Sequence, residues 1–357
     1  MFWTSYLLAV LAIVLAWPVP ILLSRAQWPA RSPFTAMLLW QAIALAGGLS
    51  MIGAMLVYGL EPIGDNLLAG LRGLAGMVLF NAPTTALGFW HLFALSAAAL
   101  LTAHLVFTLL LTYYRIERQR RRHRELLALL ASPSTDGPGT VVINHDSPVA
   151  YCLPGGARSV TVLSDGLMAA LEPAELRAVL IHENAHLSQR HHLLLWAFAA
   201  WRQALPWLPT TRLAQESVST LIEMLADDVA LKTESKATLI KAIAIVASGP
   251  AGVPGGRVAF NGGDLPSGEA GAAGISTAGI STAGISTAGI SAAGMVDAGL
   301  QGSPGSASSA GTTMSRVRRL LSPQEPLPAP QRALVLAGCL LLLAVPTALL
   351  IVPGLLG

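Results

Sequence analysis

Residues 88–124 decide the fold of this chain and read GFWHLFALSAAALLTAHLVFTLLLTYYRIERQRRRHR. Residues 88–113 are long and apolar enough to cross a bilayer core of about 30 Å, which needs roughly 20 helical residues. Arginines follow directly, and arginines accumulate on the cytoplasmic side of membrane spans. The run consists of Arg115, Arg118, Arg120, Arg121, Arg122 and Arg124. The stretch therefore predicts a membrane span whose second end faces the cytoplasm.

The composition of the whole chain indicates a membrane protein. Of its 357 residues, 53% are hydrophobic and 11% are charged, and the mean hydropathy is +0.60. In an average soluble domain roughly a quarter of the residues are charged, so the composition excludes an ordinary cytosolic enzyme. The net charge of +3 does not indicate a nucleic-acid partner, because the arginines lie beside apolar segments, where they mark topology. Two cysteines, Cys152 and Cys339, define no disulfide framework.

Three more segments are long and apolar enough to span a bilayer: residues 5–23, 34–60 and 334–353. The first follows an uncharged N-terminus and precedes no A-x-A cleavage pattern, so we interpret it as a retained anchor rather than a signal peptide. Arg25 and Arg31 follow this span, and a basic cluster precedes the last one. We interpret that cluster as a topology marker; it consists of Arg316, Arg318, Arg319 and Arg332.

The distribution of arginines predicts a multi-pass protein of the plasma membrane, in contact with the lipid bilayer, with both termini external. Residues 114–332 then lie in the cytoplasm. The predicted parts are a three-span membrane region (1–113, with a cytoplasmic loop at 25–33 and an external connection at 61–87), a basic cytoplasmic linker (114–138), a globular domain (139–248), a Gly/Ala/Ser-rich repeat linker (249–312), a basic juxtamembrane segment (313–333) and the fourth span (334–353).

The repeat linker contains the unit Ala-Gly-Ile-Ser-Thr, which starts at Ala273, Ala278 and Ala283 and then decays. A glycine in every unit and little charge predict a flexible linker. A folded solenoid is the alternative, but five residues are too few to build a unit that buries one face.

The globular domain combines short strands with helices. Three β-type runs, at residues 140–144, 149–153 and 159–163, are separated by turn-forming residues. A helix is predicted from Pro173, a second over 213–232, and a third over 235–248 with Ser235 as its N-cap. The predicted fold class is a predominantly α polytopic membrane protein, with four transmembrane helices and a cytoplasmic α+β domain.

The first helix of this domain carries His182-Glu183-Asn184-Ala185-His186. Positions i and i+4 share one helix face, so both imidazoles can bind one zinc ion while Glu183 lies beside the attacking water. This is the HExxH arrangement of zinc peptidases. Zinc lowers the pKa of water and polarises the scissile carbonyl, and Glu183 is the predicted general base.

A catalytic zinc normally takes three protein ligands. Glu223, on the second predicted helix, is the candidate for the third, and Asp227 lies one turn later on the same face, where it can accept the free N–H of a ligand histidine. Glu216 is a weaker candidate. The alternative is that these acidic residues form a solvated patch on an amphipathic helix.

Other polar residues were assigned less specific roles. Arg190, His191 and His192 are available as oxyanion donors, but we interpret the two histidines as interfacial or solvated. His104, inside the third span, is expected to form an interhelical hydrogen bond. Residues 193–208 are expected to lie against the membrane or to pack on the catalytic helix, and residues 67–80 to form an interfacial helix. The β-type runs at 149–153 and 159–163 are candidates for an edge strand that pairs with substrate.

The arrangement resembles the BlaR/MecR-type membrane zinc metallopeptidases. The similarity lies in residues 160–192, in Glu223-x-x-Ala226-Asp227 and in residues 315–321 before the last span. HtpX-type membrane peptidases share the HExxH motif and the Glu-x-x-Ala-Asp element. The resemblance implies a gluzincin-like fold, one Zn²⁺ per chain on His182, His186 and Glu223, and Glu183 as general base. Antibiotic-sensing members carry a penicillin-binding domain after the fourth span; with the sequence ending at Gly357, none is expected here.

These observations lead to a first hypothesis of a zinc-dependent metalloendopeptidase that cleaves a cytoplasmic protein or peptide. By analogy, the substrate is a transcriptional repressor and the role is regulatory. An HtpX-like quality-control peptidase of membrane proteins is the alternative within enzymes. A catalytically silent membrane signal transducer is the alternative from another class, and the intact set of His182, Glu183, His186 and Glu223 argues against it.

Overall fold

The computed structural model describes residues 2–80, 87–133, 139–154, 159–248 and 305–355. The predicted repeats at 273–297 lie outside these residues. The helices are α1 (Phe2–Ala16), α2 (Pro18–Arg25), α3 (Pro33–Leu60), α4 (Leu67–Phe80), α5 (Phe89–Leu130), α6 (Asp165–Ala170), α7 (Pro173–Ser188), α8 (His191–Ala204), α9 (Pro209–Ala230), α10 (Lys236–Ser248), α11 (Gly305–Leu321) and α12 (Ala329–Leu355). A 3-10 turn covers Trp28–Arg31, and the strands are β1 (Ser132–Pro133), β2 (Thr140–Ile143), β3 (Ala150–Leu153) and β4 (Val160–Ser164).

Four helical segments among the described residues are long and apolar enough to span a membrane, as the sequence predicts. They are Phe2–Arg25, Pro33–Leu60, Phe89–Leu129 and Ala329–Val352. The first is broken at Trp17, where α1 ends and α2 begins. The break follows from Pro18, which lacks an N–H and disfavours the helical conformation of the residue before it. The predicted helix at 67–80 is also present, as α4.

Helix α5 extends well beyond the predicted end of the third span. It continues through the arginine run to Leu130. Glu117 accepts charged contacts from Arg121 and Arg124, both at 3.2 Å, which are spaced to lie on one helix face. The basic segment thus begins as a continuation of the span, and it leads directly into the sheet.

The sheet has four strands in the order β1-β2-β4-β3. β2 and β4 are parallel, whereas β3 pairs with β4 in antiparallel register, with Tyr151 opposite Val162. The three predicted strands are therefore confirmed to within about two residues, while the short β1 was not predicted. β4 lies inside the sheet and β3 at its edge, so of the two predicted candidates for an edge strand only β3 is one.

Helix α9 lies between the membrane helices and the rest of the globular domain. Val218 and Ile222 of α9 and Phe198 of α8 share one apolar core with Trp40 and Ile43 of α3. The predicted segment at 193–208 therefore packs as α8 on α9 and on α5, where its carboxyl end is held by two side chains. His104 Nε2 lies 3.0 Å from the carbonyl oxygen of Ala204, and Thr112 donates to Gln203 at 3.2 Å. The expected interhelical hydrogen bond of His104 is present.

A second apolar core holds α7 against the sheet. Leu163 of β4, Leu167 of α6, Val179 of α7 and Ala242 of α10 are all buried in it. Ser164 accepts a hydrogen bond from the Leu167 backbone N–H at 3.1 Å, so it caps α6 at the end of β4. Helix α7 is thus fixed from one side by the sheet and α10 and from the other by α9.

Candidate metal centre

The start of helix α7 is set by its sequence. Pro173 occupies the first turn, where a missing N–H costs nothing, and the Glu175 carboxylate accepts the Glu172 backbone N–H at 2.9 Å. Lys241 of α10 lies 2.6 Å from the other Glu175 oxygen. With the first turn held in this way, the helix turns His182 and His186 toward the interior, where their exposed fractions are 4% and 3%.

The two histidines meet Glu223 of α9 in a compact donor set. His182 Nε2 lies 3.2 Å from His186 Nε2 and 3.4 Å from Glu223 Oε2, and His186 Nε2 lies 3.6 Å from Glu223 Oε1. One ligand atom from each of these three residues lies within 4.8 Å of the other two. Ligands at about 2.0–2.1 Å from a tetrahedral zinc are separated by about 3.3–3.4 Å, so both the distances and the donor types fit Zn²⁺.

Unsatisfied buried oxygens also indicate a cation at this position. Among the described residues, both carboxyl oxygens of Glu183 and both of Glu223 are buried without a geometrically complete hydrogen bond. Buried carboxylates are normally paired or bound to a metal, because leaving them alone costs several kcal/mol. Arg316 lies 3.1 Å from Glu223 Oε2, so a cation between Glu223 and the histidines would chiefly be a partner for Oε1, which lies 3.6 Å from His186 Nε2.

Asp227 and Arg316 surround the donor set. Asp227 Oδ1 lies 3.0 Å from His182 Nδ1, the ring nitrogen that faces away from the cluster. Arg316 of α11 donates two hydrogen bonds to Asp227, at 2.8 and 2.6 Å, and its third nitrogen lies 3.1 Å from Glu223 Oε2. The side chains of Asp227 and Arg316 are 0% and 9% exposed, so the pair is fully buried.

Arg316 corrects an interpretation made from the sequence. The cluster that contains it was interpreted as a topology marker, but Arg316 points inward to the candidate ligands. Arg319 likewise makes a bidentate contact with Asp228, at 2.7 and 2.9 Å, whereas Arg318 is exposed. The spacing of Arg316 and Leu320 is a helical spacing, and both are buried on one face of α11. This shared face is visible in the structure, but the sequence alone does not show which side of α11 is buried.

The charges of the site shift the pKa values of its members strongly. Burial alone would lower the pKa of His182, but the neighbouring carboxylates of Asp227 and Glu223 raise it to about 9. Burial lowers the pKa of His186 to about 3. Burial would raise the pKa of both carboxyl groups, but His186, His182 and Arg316 bring the pKa of Glu223 down to about 2, and Arg316 holds the pKa of Asp227 well below its usual range.

Zinc binding is expected to depend steeply on pH because of His182. Its raised pKa means that the imidazole carries a proton at neutral pH, and zinc must displace that proton. The zinc affinity is therefore expected to rise by roughly tenfold per pH unit from pH 6 to 8. Competition titrations with a chelator whose own pH dependence is known measure this slope. An affinity that does not change over this range would contradict the assignment of His182 as a ligand.

Glu183 lies beside the donor set but is not part of it. It is 1% exposed, and its carboxyl group faces the backbone of Cys152 on strand β3. Burial raises the pKa of Glu183 to about 8.

A small pocket of about 30 Å³, enough for one or two water molecules, opens beside His182. It is lined by Val179, His182, Leu239, Ala242, Ile243, Val246, Ala247, Thr313 and Arg316.

Two further candidate residues, Glu216 and His191, differ in where the structure places them. Glu216 is exposed and pairs with Arg212 at 3.7 Å, outside the donor set. His191 was expected to be interfacial or solvated, which is wrong: it is 1% exposed and its Nδ1 lies 3.1 Å from Nδ1 of His186. Arg190, the residue between the two helices, adopts a left-handed conformation with φ of 51°, so His191 does not continue the regular helix of α7.

Comparison with known proteins gives one family match, which covers the globular domain. No curated protein and no solved structure matches the chain. The family profile described as Peptidase family M48 matches residues 116–247, a range that includes helix α7 and Glu223. This family comprises metallopeptidases and includes the HtpX-type and BlaR-type zinc enzymes. Residues 116–247 are therefore similar to the Peptidase M48 family, and the described part of the chain also contains four helices long and apolar enough to span a membrane.

Proposed function

We propose that this protein is a membrane-embedded zinc metalloendopeptidase in which His182, His186 and Glu223 hold the metal. The observation that carries the proposal is the donor set itself. Three buried ligand atoms of the types that zinc prefers lie within 4.8 Å of one another, at separations close to the edges of a tetrahedron. A buried carboxyl group, that of Glu183, follows the first ligand directly.

Zinc bound there supplies a Lewis acid that activates water and polarises the scissile carbonyl. Glu183 accepts the proton from the attacking water and later delivers it to the leaving amine nitrogen. Burial raises the pKa of Glu183, which makes its carboxylate a stronger base than an exposed glutamate. Hydrolysis then proceeds without a covalent acyl-enzyme.

Asp227 and Arg316 keep the ligands in place. Asp227 lies at Nδ1 of His182, so it fixes the tautomer that leaves Nε2 free to bind the metal. Arg316 neutralises Asp227 and contacts Glu223, so both carboxylates stay ionised in a buried site. These contacts support a preorganised site.

Strand β3 offers the substrate an extended backbone to pair with. It lies at the edge of the sheet, and its residue Cys152 faces the Glu183 carboxyl group. A peptide that adds to this edge as a further strand runs past the catalytic glutamate. This geometry favours an endopeptidase that binds an extended segment of a protein.

Two biological roles are compatible with this chemistry, and the number of cleaved proteins and sites distinguishes them. The arginine distribution supports a catalytic domain on the cytoplasmic side, with a cytoplasmic protein, such as a transcriptional repressor, as the regulatory substrate. The family match supports an HtpX-like quality-control role equally well. Cleavage of one protein at one site supports the first role, whereas cleavage of many unfolded membrane proteins at many sites supports the second.

Metal removal tests the proposed function as a whole. Dialysis of the detergent-purified chain against a chelator is expected to abolish hydrolysis of an unfolded protein substrate, and stoichiometric zinc is expected to restore it. Magnesium or calcium, which prefer oxygen ligands, should not restore it. Full hydrolysis by protein that retains no metal would contradict the proposal.

A further inference from the structure

We propose that His191 is a positioning residue that holds the metal ligand His186 in the tautomer and ring orientation needed to bind zinc. The inference rests on the proposed zinc peptidase and adds a residue to it. His191 begins helix α8, five positions after His186, and its ring is 1% exposed. A buried imidazole in such a place needs hydrogen-bond partners for both of its nitrogens.

The two partners of His191 form a directed chain. His191 Nδ1 lies 3.1 Å from Nδ1 of His186, and His191 Nε2 lies 2.8 Å from Oε1 of Gln189. With the amide oxygen of Gln189 facing His191, as the structure places it, His191 Nε2 carries the proton and donates. The neutral His191 ring then has an unprotonated Nδ1, which can only accept.

This chain leaves a single tautomer for the ligand. His186 must donate from Nδ1, and its Nε2 is then unprotonated and faces His182 and Glu223 at 3.2 and 3.6 Å. That is the nitrogen and the protonation state that a zinc ion requires. Asp227 lies in the equivalent place for His182, at Nδ1. Each ligand histidine therefore has its own orienting group on the side away from the metal.

The backbone before His191 is shaped to bring it there. Arg190 has φ of 51° and ψ of 36°. Among the described residues, no other residue except glycine has a positive φ. Such a conformation is unfavourable for a residue with a side chain, and it persists where the surrounding structure requires it. Here it interrupts the regular helix between α7 and α8, and the first residue of α8 lies against the ring of His186, with the ring centroids 5.1 Å apart.

Three substitutions separate hydrogen bonding from simple packing. His191→Asn retains an amide oxygen close to the position of Nδ1, so it can still accept from His186. His191→Leu has almost the same shape as asparagine and cannot accept. His191→Gln places its polar atoms near the position of Nε2, so it also lacks an acceptor for His186 Nδ1. This variant replaces His191→Leu in the comparison if the leucine variant does not fold. His192→Leu, one residue along, is the control.

The measurement is the zinc dissociation constant of the purified chain, obtained by chelator competition, together with kcat and KM. Loss of an orienting partner typically weakens metal binding by about 10–100-fold, which is the effect expected for His191→Leu and His191→Gln. His191→Asn is expected to stay within roughly threefold of the wild type, as is His192→Leu. Cobalt(II)-substituted protein should show a changed visible spectrum in the leucine variant and an unchanged one in His192→Leu.

The outcomes distinguish this inference from the proposed function. Wild-type protein that binds zinc and hydrolyses protein, with His191→Leu binding zinc equally tightly, overturns the inference alone. Equal weakening by asparagine and leucine also overturns it, because the effect would then be one of packing. Wild-type protein that binds no zinc overturns the proposed function, and this inference with it.

Discussion

Glu183→Gln is expected to abolish peptide hydrolysis while leaving zinc bound. Glutamine has the size and shape of glutamate, so it fits the same buried place, where the side chain is 1% exposed. It cannot take a proton from water or return one to the leaving amine. A positioned general acid or base contributes about 10²–10⁴-fold to the rate, so a loss of at least this size is expected in kcat.

Zinc should remain because Glu183 is not in the donor set. The three ligand atoms come from His182, His186 and Glu223. Glu216→Gln on α9 is a matched control, since this residue is also a glutamate but is exposed and lies outside the cluster. It should hydrolyse substrate at the wild-type rate. Wild-type activity of Glu183→Gln would exclude Glu183 as the general base.

Arg316→Met is expected to have the largest effect on stability. The arginine is buried against two carboxylates, with its shortest contact to Asp227 at 2.6 Å. Methionine fills most of the space but leaves Asp227 and Glu223 without their counter-charge. Removal of one member of a buried ion pair typically costs about 3–5 kcal/mol, because the remaining charge stays buried and unpaired.

The free energy of unfolding of the metal-free protein in detergent measures this cost. Arg318→Met is the matched control, since Arg318 lies two residues further along α11 and is exposed; a change of about 0.5 kcal/mol or less is expected. In the Arg316→Met background, a second substitution, Asp227→Asn, should cost much less than it does alone, because the two residues are coupled. Independent, additive effects would show that the ion pair contributes nothing.

The parts of the fold that depend on local patterns could be predicted from the sequence. The four spans follow from length and hydropathy, and the pairing of His182 with His186 on one face follows from the period of the helix. Glu223 was also proposed, although it lies on another helix, because two histidines leave a zinc site one ligand short and Glu223 lies on an acidic face of the next long predicted helix; the resemblance then implied the same residue.

Two contacts of the site could not be predicted, and the physical reason is the same for both. Arg316 is separated from Asp227 by 89 positions that include the repeat segment, so no local pattern relates them. His191 does not continue the helical face of His186; it returns to it only because Arg190 adopts a positive φ. Arginines beside a membrane span and histidines at a helix end are both typical of the membrane–water interface. Arg316 and His191 are buried instead, because tertiary packing places them beside the candidate ligands.

The helical continuation of α5 is a third feature that the sequence analysis did not predict. Hydropathy ends the span near Tyr113, but nothing between there and Leu130 stops a helix. The arginines of this run are also good helix formers, and Glu117 pairs with two of them. A change in hydropathy therefore marked the end of the apolar segment and not the end of the helix.

The zinc content of three purified proteins, measured beside their proteolytic activity, tests the central claim most directly. The wild type and Glu183→Gln are expected to contain one zinc per chain, with activity only in the wild type. His182→Ala is expected to contain none and to be inactive, because it lacks one of three ligands. Stoichiometric zinc together with wild-type activity in His182→Ala would contradict the account.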